Sequence, residues 1–260
     1  MDLYQHFRPE ERPFVDHVLD MRDRVEQQFM TLFTDFLDPR EAYIFESIIG
    51  NDDRFNVDCL FGENQLERTM YALSPYYASV EDKDFPVQLL EASYPAKFID
   101  IKHPDVLGSF LSLGINRKKL GDVTIEETTG IILLLVHQDI AGFVLREFTQ
   151  IKKAQVTFTE ALLGTYRPHP STWTTHQTTV SSLRLDVLIK EMYQMSRKDA
   201  KALIEREWVK VNFKVVESPA FLIEPNDLIS VRKKGRARLT SIEGQTKKEK
   251  WRILYQRLVQ

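Results

Sequence analysis

The stretch SRKDAKALIEREWVKVNFK, Ser196–Lys214, changes its period half-way along. Ser196 stands where a helix N-cap belongs, and Asp199 three residues later completes an approximate capping box. Ala200, Leu203 and Ile204 then recur at helical spacing. From Trp208 the rhythm becomes two: Val209, Val211, Phe213 and Val215 fall on one face, with Lys210, Asn212 and Lys214 on the other. The pattern predicts a short helix running directly into a strand. Arg197, Lys198 and Lys201 lie in the first turn and a half and must point outward. Cations there oppose the helix macrodipole, so they do not serve helix stability. They concentrate positive potential beside the backbone N–H groups that can face a phosphate.

The flanks extend this unit. Leu183, Leu185, Leu188, Ile189 and Met192 make the buried face of a preceding short helix. Downstream, DLISVRKKGRARL reads as a strand carrying Arg232, Lys233, Lys234, Arg236 and Arg238. The expectation is that basic side chains on helix and strands form one surface around a compact core. RARLTSI and WRILYQRLV read as a further hairpin around EGQTKKEK, with a bulge because Leu239 and Ile242 break strict alternation. A terminal helix is the alternative, since Trp251, Leu254, Tyr255 and Leu258 also recur at three- and four-residue steps.

Charge separates along the chain. Residues 181–260 hold 18 Lys and Arg against 10 Asp and Glu, a net of +8, while residues 1–180 hold 17 against 28, a net of −11. A basic terminal third on an acidic body suggests a polyanionic partner, most often nucleic acid. For an isolated run of charge a solvated face would be the simpler reading; here the excess coincides with a defined local fold.

The rest of the chain reads as two further domains. Residues 10–37 predict one long helix, with Phe14, Val18, Met21, Val25, Phe29, Leu32 and Phe36 on its buried stripe. Asp38 caps a second helix with Pro39 in its first turn, and Gly50 with Asn51 ends it. FNVDCLF and RTMYAL read as a hairpin, so residues 1–80 form a small helical domain with a hairpin. Residues 81–163 alternate as β-α-β-β-α-β, the ferredoxin-like arrangement that RNA-recognition domains share with many unrelated proteins. Its third strand, IILLLV, lacks the aromatic run with which such domains stack bases. Residues 164–182, rich in Thr, Ser and Pro and without apolar period, read as a linker or as a loop draped over a neighbour. The fold class expected is therefore α+β in three parts, with residues 183–260 as the C-terminal basic domain.

The ordered elements Arg184-Leu185-Asp186, Ser196-Arg197, Ala200, Val209–Asn212 and Asp227–Arg232 resemble the RNA-binding domain named after ribosomal protein S-four. Three glycines usual in that pattern are replaced, around Glu207-Trp208, at Phe213 and at Asn226, so the turns there need Asn or another geometry. With the acidic N-terminal region, HPDVLGSFLSLGINRKKLGDV in the middle and GQTKKEKWRILY near the end, the whole chain resembles the YlmH-like RNA-binding proteins of Gram-positive bacteria. The resemblance implies association with ribosomal RNA and the ribosome. By analogy with the small heat-shock protein of the same domain type, it points to large subunits obstructed by a nascent chain on tRNA, and so to ribosome quality control in the cytoplasm. RNA contact is expected at Arg184, Arg197, Lys198, Lys201, Lys210, Asn212, Lys214, Arg232, Lys233, Lys234, Arg236 and Arg238. A second RNA contact is weighed against a solvated loop at Arg117, Lys118 and Lys119 in NRKKLGD.

An RNA-modifying enzyme delivered by the basic domain is the rival reading, and an adaptor that binds a protein through the acidic N-terminal domain is a third. Arg184-Leu185-Asp186 superficially matches a pseudouridine-synthase motif, but VLIKEM follows it rather than Thr-Ser-Gly, so a structural Asp is expected. The 10 glycines form no methyl-donor or phosphate loop, and the six histidines have no metal-ligand spacing, so neither cofactor nor metal is expected. HPD at 103–105 and HQD at 137–139 read as helix starts. The single cysteine, Cys59, cannot form an intramolecular disulfide. The first residues lack the basic-then-apolar pattern of a secretion signal, and the longest apolar run, GIILLLV, is strand-sized, so no membrane partner is expected.

Overall fold

A computed structural model describes residues 3–50, 52–169 and 171–259. It is a mixed α/β fold with six α-helices and several antiparallel sheets among the described residues, divided into two compact units between residues 170 and 171.

The first unit opens with α1 (Arg12–Gln28), β1 (Leu32–Phe33), α2 (Pro39–Ile49), β2 (Phe55–Cys59) and β3 (Tyr71–Pro75). The helix expected over 10–37 stops at Gln28. Phe29 adopts a left-handed φ of 53° and its N–H bonds back to Val25, after which the chain is extended and pairs with β3. The apolar stripe past that point is real but changes carrier: Phe36 and Leu37 are buried from an extended segment, while Phe29 is 70% exposed. The Asp38 cap forms as its sequence predicts, accepting from the N–H groups of Arg40 and Glu41, while Glu41 accepts from Asp38 N–H. Asn51, expected beyond the end of that helix, lies outside the described residues. With strand order β1-β3-β2, this region combines two helices with a three-stranded sheet rather than helices with one hairpin.

The chain continues through β4 (Val87–Ser93), α3 (His103–Leu111), β5 (Leu120–Glu126), β6 (Ile131–His137) and α4 (Gln138–Glu147), then a small hairpin of β7 (Gln150–Ile151) and β8 (Ala154–Gln155), and β9 (Thr159–Ala161). The main sheet has the order β5-β6-β4-β9 and is antiparallel throughout. The β5–β6 turn requires Gly130: its φ is 74°, and an added Cβ would lie 2.2 Å from the Tyr94 carbonyl oxygen.

Both faces of this sheet are buried. Leu90, Ala92, Ile132, Leu134 and Val136 pack with Val106, Phe110 and Val144 of the helices. Leu89 and Leu135, from the other face, pack with Phe36, Leu60 and Met70 of the N-terminal region. That two-sided burial is why IILLLV lacks polar alternation. It also covers the sheet face on which an RNA-recognition domain would stack bases.

The second unit holds β10 (Trp173–Val180), α5 (Leu185–Met192), α6 (Arg197–Glu205), β11 (Val209–Val211), β12 (Lys214–Val215), β13 (Leu228–Val231), β14 (Gly235–Gln245) and β15 (Trp251–Leu258). They form an antiparallel sheet of order β10-β15-β14-β13-β11-β12. The segment 164–182 is thus no plain linker: WTTHQTTV is an edge strand paired with β15 over all eight residues. Its threonines favour a strand, but polar side chains on both faces leave no apolar alternation to read. The C-terminal hairpin forms rather than the alternative helix, with register shifts between Leu239 and Ser241 and between Ile242 and Gln245.

Candidate nucleic-acid interface

Asp186 anchors the helical side of the second unit. Its carboxylate is fully buried and accepts hydrogen bonds from Arg184 Nε at 3.1 Å and from Arg197 Nε at 2.9 Å. Burial works to raise its pKa, but the bonds and charge of the two arginines outweigh that and hold it below the usual carboxylate range. Asp186 is the structural residue its sequence context suggests. It turns two flexible cations into a fixed pair, with the Arg197 side chain still half exposed.

Helix α6 begins beside this pair. Ser196 caps it, accepting from Asp199 N–H at 3.1 Å and donating to the Asp199 carboxylate at 2.7 Å. Ala200 and Ile204 are buried in the core, and Lys198 and Lys201 are exposed with no ion pair to a described residue. Arg206, just past the helix, is likewise exposed. The three residues Arg232, Lys233 and Lys234 form the exposed β13–β14 hairpin tip, with Lys233 at φ 63°. The tip is tied to the end of α6: Arg232 N–H donates to the Trp208 carbonyl, and its guanidinium lies 5.3 Å from the Trp208 ring centroid.

The remaining expected residues separate from these. Helices α5 and α6 pack on the sheet face that carries Val209, Val211, Ile229, Ala237 and Leu239. Lys210 pairs in register with Ser230, and Ser230 with Arg236; Arg238 pairs with Gln256. Strand alternation therefore sends Lys210, Arg236 and Arg238 to the opposite face. The single basic surface expected from the sequence is instead divided between the helix side, the hairpin tip and the outer sheet face. Lys214 lies on the short edge strand β12, opposite Val211. Trp173 and Arg252, overlooked in the sequence, share the outer face. The signal that could have found them is the alternation of β10 and β15 once both are known to pair.

Asn212 has a structural task. Its side chain donates to Asp227 at 2.7 Å and accepts from Leu228 N–H at 2.9 Å. Its φ is 47°, and Phe213 follows at 65°. Glu207 and Asn226 also take positive φ, of 59° and 70°. The chain thus keeps left-handed backbone at the three places where the family pattern has glycine, using residues that carry a Cβ.

The cluster Arg117, Lys118 and Lys119 is committed inside the first unit. Arg117 donates to the Leu120 carbonyl, and burial lowers its pKa to about 10. Lys118 pairs with Glu41 at 2.8 Å, and Lys119 with Asp35 at 2.8 Å and Asp139 at 2.9 Å. The same motif continues with Gly121 under the Phe36 ring and with Asp122 accepting from the N–H groups of Glu67 and Arg68. NRKKLGD is a clasp that holds the N-terminal region on the middle sheet: its two lysines are engaged by acids and Arg117 by a backbone carbonyl. His137 and Asp139 start α4, and Asp105 starts α3 by accepting from Lys102 N–H. Among the described residues no group of His, Cys, Asp and Glu could hold a metal ion, and no helix is long and apolar enough to cross a membrane.

Comparison with known proteins agrees with this layout. The family model "Putative RNA-binding domain in YlmH" matches residues 80–164, and the S4 domain model matches residues 183–229. Over 258 residues the chain is 38% identical to the ribosome-associated protein quality control protein P2 of Bacillus subtilis (strain 168), covering 98% of both. The chain belongs to the YlmH family. A solved structure of a member, the cell division protein ylmH from Streptococcus pneumoniae, is 25% identical with a TM-score of 0.52, covering 62% of this chain and 97% of that one. The S4 match takes in α5, α6, β11 and β12 and ends inside β13. In this YlmH-family chain β10, β14 and β15 lie outside the matched range and belong to the same sheet as β11 and β13.

Proposed function

We propose that this YlmH-family protein is a non-catalytic, cytoplasmic RNA-binding protein that acts on the large ribosomal subunit in quality control of stalled nascent chains, in contact with rRNA and tRNA. The observation that carries the RNA reading is the Asp186 clamp: Arg184 and Arg197 are held in place beside Lys198 and Lys201, which make no ion pair with a described residue. Fixed guanidinium groups and exposed ammonium groups at a helix start suit phosphate oxygens. The hairpin tip Arg232–Lys234 extends the same reading. The ribosomal part rests on the name of the Bacillus subtilis relative.

We read residues 81–163 as ferredoxin-like, because the first strand lies between the third and fourth and the second pairs with the third. Residues 1–80 are read as a region that docks on it and can receive a protein partner. Phe29, Tyr76 and Tyr77, 63–72% exposed, support that adaptor reading.

Replacing Lys198 and Lys201 by Glu tests the RNA reading. Binding to rRNA should weaken while the fold is kept. The log-affinity against log-salt slope should flatten by about 0.7 to 0.9 for each lost phosphate contact. Unchanged affinity and slope would reject this face.

A further inference from the structure

We infer that the outer face of the second unit's sheet, directed away from α5 and α6, is a separate RNA-binding surface, so that one molecule holds two RNA segments at once. The inference rests on the RNA reading above and adds a second site to it. The six strands contain Lys210, Lys214, Arg236, Arg238, Arg252 and Arg257 but a single acid, Glu243, which accepts from Gln177. Lys210, Arg236, Arg238 and Arg252 alternate onto the outer face. Glu243, bonded to Gln177 of the same face, is the one strand carboxylate there; the four cations outnumber it, so the strip attracts a polyanion.

Two aromatic groups convert that charge into a shaped surface. The Arg238 guanidinium lies 4.8 Å from the Trp173 ring centroid, and Arg236 lies 6.0 Å from that of Phe213. Arg238 Nε also donates to Gln256 at 2.7 Å, and Gln256 donates to Thr175. The ring contact and the bond to Gln256 hold the Arg238 guanidinium in place beside Trp173. A flat guanidinium over an indole accepts an unpaired base by stacking, while Lys210 and Arg252, both exposed, reach phosphates. The occupant that fits is an unpaired RNA segment. The helix face and the outer sheet face lie on opposite sides of one core, so each can hold its own RNA segment.

The test is stoichiometry of the full chain with a short RNA hairpin bearing an unpaired loop, in the wild type and in two double variants. Lys198→Glu with Lys201→Glu marks the helix side, and Lys210→Glu with Arg252→Glu marks the outer face; all four side chains are exposed, so folding should survive. Two RNAs per chain are expected for the wild type; in each double variant the marked site weakens, its salt slope flatter by roughly 1.4 to 1.8, so that one RNA per chain remains at the concentration that fills both wild-type sites. Trp173→Leu should lose preference for unpaired over paired RNA, and Trp173→Phe should keep it. One RNA per chain in the wild type, abolished by the helix-side variant and untouched by the outer-face variant, overturns the second site and leaves the first standing. Loss only in the outer-face variant would instead reject the helix-side reading. Displacement of RNA by polyglutamate as effectively as by RNA itself would reduce the face to a general anion attractor and overturn the assignment.

Discussion

Glu207 shows how one residue can keep a family's backbone without its glycine. Its φ of 59° costs an L-residue energy that glycine does not meet, and its side chain is exposed. Glu207→Gly should therefore raise the stability of the second unit by about 0.5 to 1 kcal/mol, read from urea unfolding, with part of the gain offset by the looser unfolded chain. Asp186 gives the opposite kind of prediction. Its folded pKa lies below the unfolded carboxyl value of about 3.9, so its pairing stabilises fully above that value and is lost as pH falls through the folded one. Arg197→Gln should cost roughly 1 to 3 kcal/mol at pH 7, because a buried carboxylate loses a charged donor. The gap to wild type should narrow below about pH 4; a gap of equal size at pH 3 would mean that Arg197 acts by packing alone.

At the scale of elements, periodicity identified faces better than it identified carriers. The stripe from Phe14 to Phe36 marks buried positions, yet a left-handed Phe29 and an extended 31–37 segment break it into helix and strand. NRKKLGD looked like a basic loop because a loop's own residues do not reveal which acids face it. The clasp makes a steric prediction: a Cβ at Gly121 would sit 2.5 Å from the Phe36 ring. Gly121→Ala should destabilise the first unit by about 1 to 3 kcal/mol through forced repacking. Thermal unfolding would show it, with the second unit unaffected. Unchanged stability would mean that the Phe36 ring can move aside at no cost.

For the molecule as a whole, the charge division and the structural division nearly coincide. Residues 171–180 carry no Lys, Arg, Asp or Glu, so residues 171–260 hold the same net +8 and residues 1–170 the same −11. The fragment 171–260 includes β10 and should fold and keep most nonspecific RNA affinity, whereas residues 1–170 should bind free RNA poorly. Filter binding of both fragments beside the full chain would check this. Tight RNA binding by residues 1–170 alone would contradict the commitment of Lys118 and Lys119 to acids and of Arg117 to the Leu120 carbonyl.

Sequence by itself determined what depends on near neighbours: the Ser196 and Asp38 caps, the helix-to-strand change at Trp208 and the excess of charge in one third. Each of these is set by residues within a turn or a strand of one another. Only the tertiary structure decided what depends on distant partners. Asp35, Glu41 and Asp139 neutralise a basic loop that lies far from Asp35 and Glu41 in sequence. A threonine-rich segment becomes a strand because β15 offers it an edge. Cations that look alike along the chain lie on opposite faces because strand pairing fixes the direction of each side chain. Pairing between distant strands sets these outcomes, and no local pattern encodes it.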